Sequence, residues 1–292
     1  MNSAAILSRF EKINVWKKGD QRAPHKPLLI LYALGQWQGG RSEVTFKEAE
    51  PELRKLLQRF GRPRKSDHPE QPFWRLQRNR VWAVQAPADI PRKTGDTIPT
   101  IDALRSPAVR GEFSPEVQTA LTADKALITR IANLILERHF PESLHQEILD
   151  AVHLSTEAVT RKKRDAKFRE KVLDAYQGCC AVCKFEVRVA DVLVGLDAAH
   201  IRWHQFNGPA TEQNGLALCV MHHKLFDFGA FTIREGRLRV SSKAKGAGFQ
   251  EHLMKFHCQE VKKPIDPALH PTESNLAWHA REVFKGEELP CI

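Results

Sequence analysis

Two pairs of metal-ligating residues, Cys180 with Cys183 and Cys219 with His222, constrain this chain more than any other feature. Structural zinc is held by four Cys or His side chains in a tetrahedron, and ligands separated by two residues come from a tight knuckle or a helix start. The CxxC pair and the CxxH pair therefore draw distant parts of the sequence to one point, and the stretch between them must fold as a closed loop. Cys179 is set aside because Cys180 supplies the CxxC spacing, and Cys258 and Cys291 show no partner pattern. The chain has 6 cysteines, most of them between Cys179 and Cys219, so they read as ligands in a reducing compartment rather than as a disulfide framework.

Inside and just beyond that loop stand three residues with chemistry of their own. His200 ends VLVGLDAAHI, whose alternation reads as a strand that would hold its imidazole in a defined place. A group that titrates near neutrality can take a proton from water. Asn214 lies in EQNGLAL, and its amide suits it to fixing the loop that carries His200. His223 follows His222 in LCVMHHKLFDFG, at the start of a helix that would put Asp227, four residues on, beside it. Histidine next to a carboxylate is a donor set for a divalent cation.

The segment 166–234, with AHI, NGL and LCxxHHxxFD, resembles the HNH family of ββα-metal nucleases, in its McrA-like branch. The resemblance implies that His200 is the general base, Asn214 an orienting residue and His223 a ligand of a catalytic Mg²⁺ or Mn²⁺. It also implies that Cys180, Cys183, Cys219 and His222 hold a structural Zn²⁺. Many members of that family place an Asp directly before the base, where this chain has Ala199; Asp197, Asp227 and Asn214 are the candidates for a second ligand.

The chain has 292 residues and a net charge of +10, which allows more than one domain and favours an anionic partner. No apolar run approaches the roughly 20 residues of a membrane span, and MNSAAILSRFEK is too charged for a secretory signal, so a cytoplasmic protein is expected. Composition separates three regions of an α+β, multidomain chain: 1–95, a helical reader with a small hairpin; 96–164, a linker and helical connector; and 165–292, the nuclease domain. The connector begins in PADIPRKTGDTIPT, continues through LITRIANLILERHF with Ile128, Ile131, Leu134 and Ile135 at helical spacing, and ends at the basic cluster Arg161–Arg164.

Within the first region, QRAPHKPLLILYALGQWQGG places Pro27 in the first turn of a helix buried on nearly all sides from Leu28 to Leu34. Arg22, His25 and Lys26 then gather at a helix entrance, where free N–H groups and the helix dipole already favour an anion. Further on, Gln71, Pro72, Phe73, Trp74 and Arg75 precede a hairpin expected to turn at Arg78 and Asn79. Arginines interleaved with aromatic surface suit a nucleic-acid interface, and Arg62, Arg64, Lys65, Arg78 and Arg80 extend it.

PHKPLLILYAL taken with HPEQPFWRL resembles the sulfur-binding domain of HNH endonucleases that recognise phosphorothioated DNA. By that resemblance Arg22, His25, Lys26, Gln71, Pro72, Phe73, Trp74 and Arg75 would meet the modified phosphate, with Gln71 standing where an aromatic residue is expected. The expected partner is phosphorothioated double-stranded DNA, with a homodimer for cutting both strands. Two alternatives stay open: an HNH enzyme that reads a methylated or otherwise modified base, and a zinc-stabilised DNA-binding regulator without nuclease activity.

Overall fold

The computed structural model describes residues 2–16, 19–63, 65–95, 97–156 and 166–291, in two compact units, Met1–Val159 and Thr160–Ile292. The basic cluster Arg161–Arg164 and Arg64 lie outside the described residues.

The first unit is built around one helix. Its elements are α1 (Ser3–Glu11), α2 (His25–Gln38), β1 (Glu43–Thr45), α3 (Phe46–Phe60), α4 (Glu70–Arg75), β2 (Trp82–Gln85), α5 (Ile101–Leu104), β3 (Arg110–Phe113), α6 (Pro115–Ala123), α7 (Ala126–His139) and α8 (His145–Ala151). Every residue of α2 from Pro27 to Gly35 is buried, as its unbroken apolar run requires. At roughly 1.5–3 kcal/mol for each large side chain removed from water, this helix anchors the unit. It packs against α3, α4 and α7. Gly35 permits the closest approach, because a Cβ there would stand 2.0 Å from the Val152 carbonyl oxygen. Helix α3 starts in a reciprocal cap between Thr45 and Glu48 and turns Phe46, Ala49, Leu53, Leu56, Leu57 and Phe60 inward.

The sheet of this unit is antiparallel in the order β1-β3-β2. Its central strand, β3, comes from the segment 96–164, and α7 of that segment packs on α1 and α2. The turn expected at Arg78 and Asn79 is not a hairpin. EQPFWR is helical, a 3₁₀ turn follows over Leu76–Asn79, and Arg80 reverses the chain at φ 57° into β2, which pairs with β3. Phe73 and Leu76, three residues apart, are both fully buried, and that helical spacing overrides the strand reading. Trp82 is core, stacked edge-on against Phe73 and Phe113 and donating its indole N–H to the Phe73 carbonyl at 3.0 Å.

The second unit comprises α9 (Ala166–Ala175), β4 (Arg188–Val189), β5 (Val192–Leu193), β6 (Leu196–His200), β7 (Gly215–Cys219), α10 (Val220–Asp227), β8 (Phe231–Arg234), β9 (Arg237–Val240), α11 (Phe249–His252) and α12 (Glu273–Glu282). Strands β6 and β7 pair antiparallel from Leu196 opposite Cys219 to His200 opposite Gly215, and α10 follows without a linker. That is the ββα order expected of the segment. Phe168, Val172 and Leu173 of α9, with Tyr176 just after it, are buried against it, as their spacing predicts. Helix α12 closes the other side: His279 stacks on Phe226 at 3.6 Å and its two ring nitrogens meet Thr232 Oγ1 and the Phe226 carbonyl, each at 3.0 Å. Cys258 and Cys291, which show no partner pattern in the sequence, are joined as a disulfide, against the reading of the cysteines as ligands rather than a disulfide framework; they stand 33 positions apart, a pairing that no local motif announces. Among the described residues no helix is long and apolar enough to cross a membrane.

Candidate functional site

The knuckle after α9 and the junction of β7 with α10 bring Cys180, Cys183, Cys219 and His222 together, with all four ligand atoms within 4.8 Å of one another. Cys183 Sγ lies 3.9 Å from Cys219 Sγ, and His222 Nδ1 lies 3.8 Å from Cys180 Sγ and 3.1 Å from Cys219 Sγ. A tetrahedral centre with metal–sulfur bonds of about 2.3 Å needs edges of roughly 3.5–3.8 Å, so the four atoms fit a metal ion. His222 is fully buried and gives its Nε2–H to the His252 carbonyl at 3.0 Å, which presents Nδ1 to the cluster. Hydrogen bonding from Cys219, aided by His222, holds the pKa of the Cys180 thiol well below the usual thiol range. Cys179 stays out, turned toward Glu186 and the Gln177 carbonyl.

Next to that cluster the same helix turns His223 the other way. Its Nδ1 lies 3.3 Å from Asp197 Oδ2 on β6, and its Nε2 lies 3.2 Å from Asp227 Oδ2, one turn along α10. Burial alone would lower the basicity of this imidazole, but the charge of Asp227 and the contacts of both carboxylates outweigh it and push its pKa up to about 9. Asp227 is itself 3% exposed. The two carboxylates sit at opposite nitrogens of the ring, so a cation that takes the place of the proton at one nitrogen would have His223 and one carboxylate as neighbours, Asp197 at Nδ1 or Asp227 at Nε2.

His200 sits on the same strand as Asp197, roughly 10 Å along it at about 3.3 Å per residue. Its ring stacks on Phe168 of α9 with centroids 4.0 Å apart and planes 20° apart, which fixes its orientation. Asn214 is fully buried behind it. The Asn214 Oδ1 accepts from the Arg202 backbone N–H at 2.8 Å, and Nδ2 donates to the Arg202 and Pro209 carbonyls, each at 2.9 Å. The amide thus clasps the backbone immediately after His200. Gly208 makes this possible: a Cβ there would meet the Arg202 carbonyl oxygen at 1.8 Å and the Asn214 Nδ2 at 2.9 Å. Ala199 is fully buried, opposite Leu216 on β7.

In the first unit the entrance of α2 and helix α4 enclose a cavity of about 300 Å³. His25, Lys26, Gln71, Pro72 and Arg75 all line it. Lys26 Nζ donates to the Asn14 carbonyl at 2.7 Å and to Asn79 Oδ1 at 2.6 Å. Burial first, then the nearby charges of Arg78 and Arg75, bring its ammonium down to about 8. Three residues expected at this interface do not line the cavity. Arg22 is 1% exposed and spends Nη2 on the Phe60 carbonyl at 2.6 Å. Phe73 is in the core, and Trp74 is half-buried outside the cavity, because successive residues of a helix point about 100° apart.

Val15, Trp16, Ala23 and His68 complete the lining. Their signal in the sequence was INVWKKG, a tryptophan beside lysines just before the helix entrance, and the histidine preceding Pro69. Trp16 is 54% exposed, the largest apolar surface at the rim.

Residues 3–157 match the family described as the ScoMcrA-like DNA sulfur-binding domain, and residues 180–234 match the HNH endonuclease family. None of the curated proteins matches the chain. Among solved structures, the sulfur binding domain of ScoMcrA complexed with phosphorothioated DNA is 18% identical with a TM-score of 0.45, over 51% of this chain and 94% of that one. The Type IV phosphorothioation-dependent restriction endonuclease ScoMcrA is 18% identical with a TM-score of 0.43, over 52% of this chain and 35% of its own length. The modification dependent TagI restriction endonuclease is 24% identical with a TM-score of 0.30, over 44% of this chain and 41% of its own. With the sulfur-binding match spanning more than half of its length and a nuclease match beyond it, the chain belongs to the ScoMcrA-like DNA sulfur-binding domain family and carries an HNH endonuclease domain.

Proposed function

We propose that this DNA endonuclease is a modification-dependent restriction enzyme that binds phosphorothioated double-stranded DNA in the cavity beside His25 and Lys26 and hydrolyses nearby phosphodiester bonds at the site of His200 and His223. The observation that carries this reading is the make-up of the cavity, in which apolar Val15, Ala23 and Pro72 lie beside the cations Lys26 and Arg75. An apolar wall next to positive charge suits a phosphate in which one nonbridging oxygen is replaced by sulfur. Burying the roughly 30–40 Å² of a sulfur contributes about 1 kcal/mol. Seating an oxygen on the same wall without a hydrogen bond costs roughly 1–3 kcal/mol. Discrimination then rests more on rejecting ordinary DNA than on attracting sulfur.

In the cutting site His200, with its ring held against Phe168, is the base that takes a proton from the attacking water. Asn214 keeps the backbone after His200 in place. His223 would hold the catalytic cation together with one of the two carboxylates that flank it, Asp227 or Asp197, in place of the Asp absent at Ala199. A bound Mg²⁺ or Mn²⁺ supplies charge stabilisation at the scissile phosphate. The Cys180, Cys183, Cys219 and His222 cluster would hold Zn²⁺ as a structural ion, since three sulfurs and one imidazole favour it over harder cations.

The test is cleavage of three matched plasmids, phosphorothioated, methylated and unmodified, by the full chain with Mg²⁺ or Mn²⁺. Cleavage confined to the phosphorothioated plasmid is the expected result. Cleavage of the methylated plasmid alone, or binding without any cleavage, overturns the reading.

A further inference from the structure

His68 lines the cavity, yet nothing so far gives it a task. Its backbone sits at φ 48°, in the left-handed region that a residue with a side chain adopts at a cost. Pro69 follows as the N-cap of α4, so the reversal at His68 is what turns the chain from the loop into that helix. The same reversal sets its imidazole against a buried carboxylate: His68 Nδ1 lies 3.2 Å from Glu70 Oε1. Glu70 is 1% exposed.

That carboxylate is charged. Burial opposes ionisation, but hydrogen bonds from Lys93, from the Glu70 backbone and from His68 together hold Glu70 below the usual glutamate range. Lys93 Nζ donates to the same Oε1 at 3.0 Å, while Oε2 is buried with no hydrogen-bond partner. An ionised carboxylate only accepts, so the His68 nitrogen facing it carries the hydrogen. The ring is thereby locked in one tautomer, and its half-exposed remainder borders the cavity. A neutral ring in that tautomer has only a lone pair at Nε2; a protonated ring has a second N–H to donate.

Resting on the reading of this cavity as the phosphorothioate site, we propose that His68, oriented by Glu70, binds as imidazolium and donates Nε2–H to the nonbridging oxygen that remains on the modified phosphate. The sulfur meets the apolar wall and the oxygen meets His68, so the pocket distinguishes the two atoms on one phosphorus. DNA binding then takes up a proton. The other charged or titratable groups facing this ring are His25, Lys26 and Arg75 across the cavity, and Glu70 and Lys93 behind it. Asp67, its chain neighbour, is engaged by Arg54 at 3.9 Å and by Gln58 at 2.8 Å.

Calorimetric titration of the full chain with a phosphorothioated duplex at pH 7, in buffers of different ionisation enthalpy and without added divalent cation, counts the protons taken up. His68→Gln is expected to lower the uptake seen in the wild type and to weaken binding about tenfold. Glu70→Gln, with His68 still present, is expected to lower the uptake as well. Thermal unfolding of each variant verifies that it is folded. A sulfur-selective wild type whose His68→Gln variant binds as tightly and takes up as many protons overturns this inference alone. A wild type that binds modified and unmodified duplexes equally overturns the reading of the cavity and this inference with it.

Discussion

Asp197 Oδ2 stands 3.3 Å from His223 Nδ1, so the strand that carries His200 is tied to the helix that carries the second histidine. Ala199 occupies the place where many relatives in the HNH family are expected to carry a ligand. Two residues earlier on the same strand, and so on the same side of the pleat, Asp197 presents a carboxylate to His223. Asp197→Asn and Asp227→Asn are each expected to weaken Mn²⁺ binding by about 10–100-fold and to cut cleavage at least in proportion, while affinity for DNA stays within twofold. Mn²⁺ titration alongside DNA binding checks this; a variant that binds the ion as tightly as wild type removes that carboxylate from the site.

The proton on His223 makes the ion's affinity depend on pH. Its pKa rises from 6.5 to about 9 in the folded metal-free protein. The stability that its ion pairs contribute is therefore complete below about 6.5 and is lost as pH rises through about 9. A cation must displace that proton, so Mn²⁺ affinity should rise by up to about tenfold per pH unit between pH 7 and pH 9 and level off above. Calorimetric Mn²⁺ titrations at pH 7 and pH 8.5 decide it; equal affinities at the two values contradict the assignment.

Asn214 acts on the backbone, so its loss is expected in both stability and rate. Asn214→Ala removes its side-chain hydrogen bonds to Arg202 and Pro209 inside the fold. Two carbonyls and an N–H are left behind, and the cost is roughly 1–3 kcal/mol. Chemical denaturation should show that loss, and the cleavage rate should fall at least tenfold as the loop after His200 relaxes. A variant of full stability and full rate contradicts the role.

Lys26 gives the reader an alkaline limit. With its ammonium brought down to about 8, the charge that meets the DNA is present below that pH and is lost above it. The phosphate itself favours the charged form and moves the midpoint upward. Affinity for a phosphorothioated duplex is therefore expected to decline as pH rises from 8 to 10, measured by fluorescence anisotropy, and Lys26→Met should bind more weakly with a flatter profile.

The metal cluster was legible because ligand spacing is a local constraint: CxxC and CxxH admit few geometries, and all four residues meet. The strand of His200, the ββα order and the buried α2 were legible for a similar reason, since each follows from hydrophobic periodicity within a single element. Of the partners of His223, Asp227 was legible at one helical turn, whereas Asp197, one of three candidates in the sequence, reaches it only through the packing of β6 on α10. Around the cavity, His25 and Lys26 were legible from a helix entrance. Phe73 was expected at the interface because the string from Pro69 was read without its helical phase, and Arg22 because its place before a helix entrance says nothing of the Phe60 carbonyl that takes its Nη2. Trp16 and His68 enter from loops, which carry no periodicity to place them.

The central claim is that one sulfur atom selects the DNA, and it is tested most directly by the affinity of the His200→Ala protein for two duplexes that differ in that atom alone. Burial of sulfur plus the cost of seating an unpaired oxygen predicts at least tenfold tighter binding of the phosphorothioated duplex. Equal affinity for the two duplexes would contradict it.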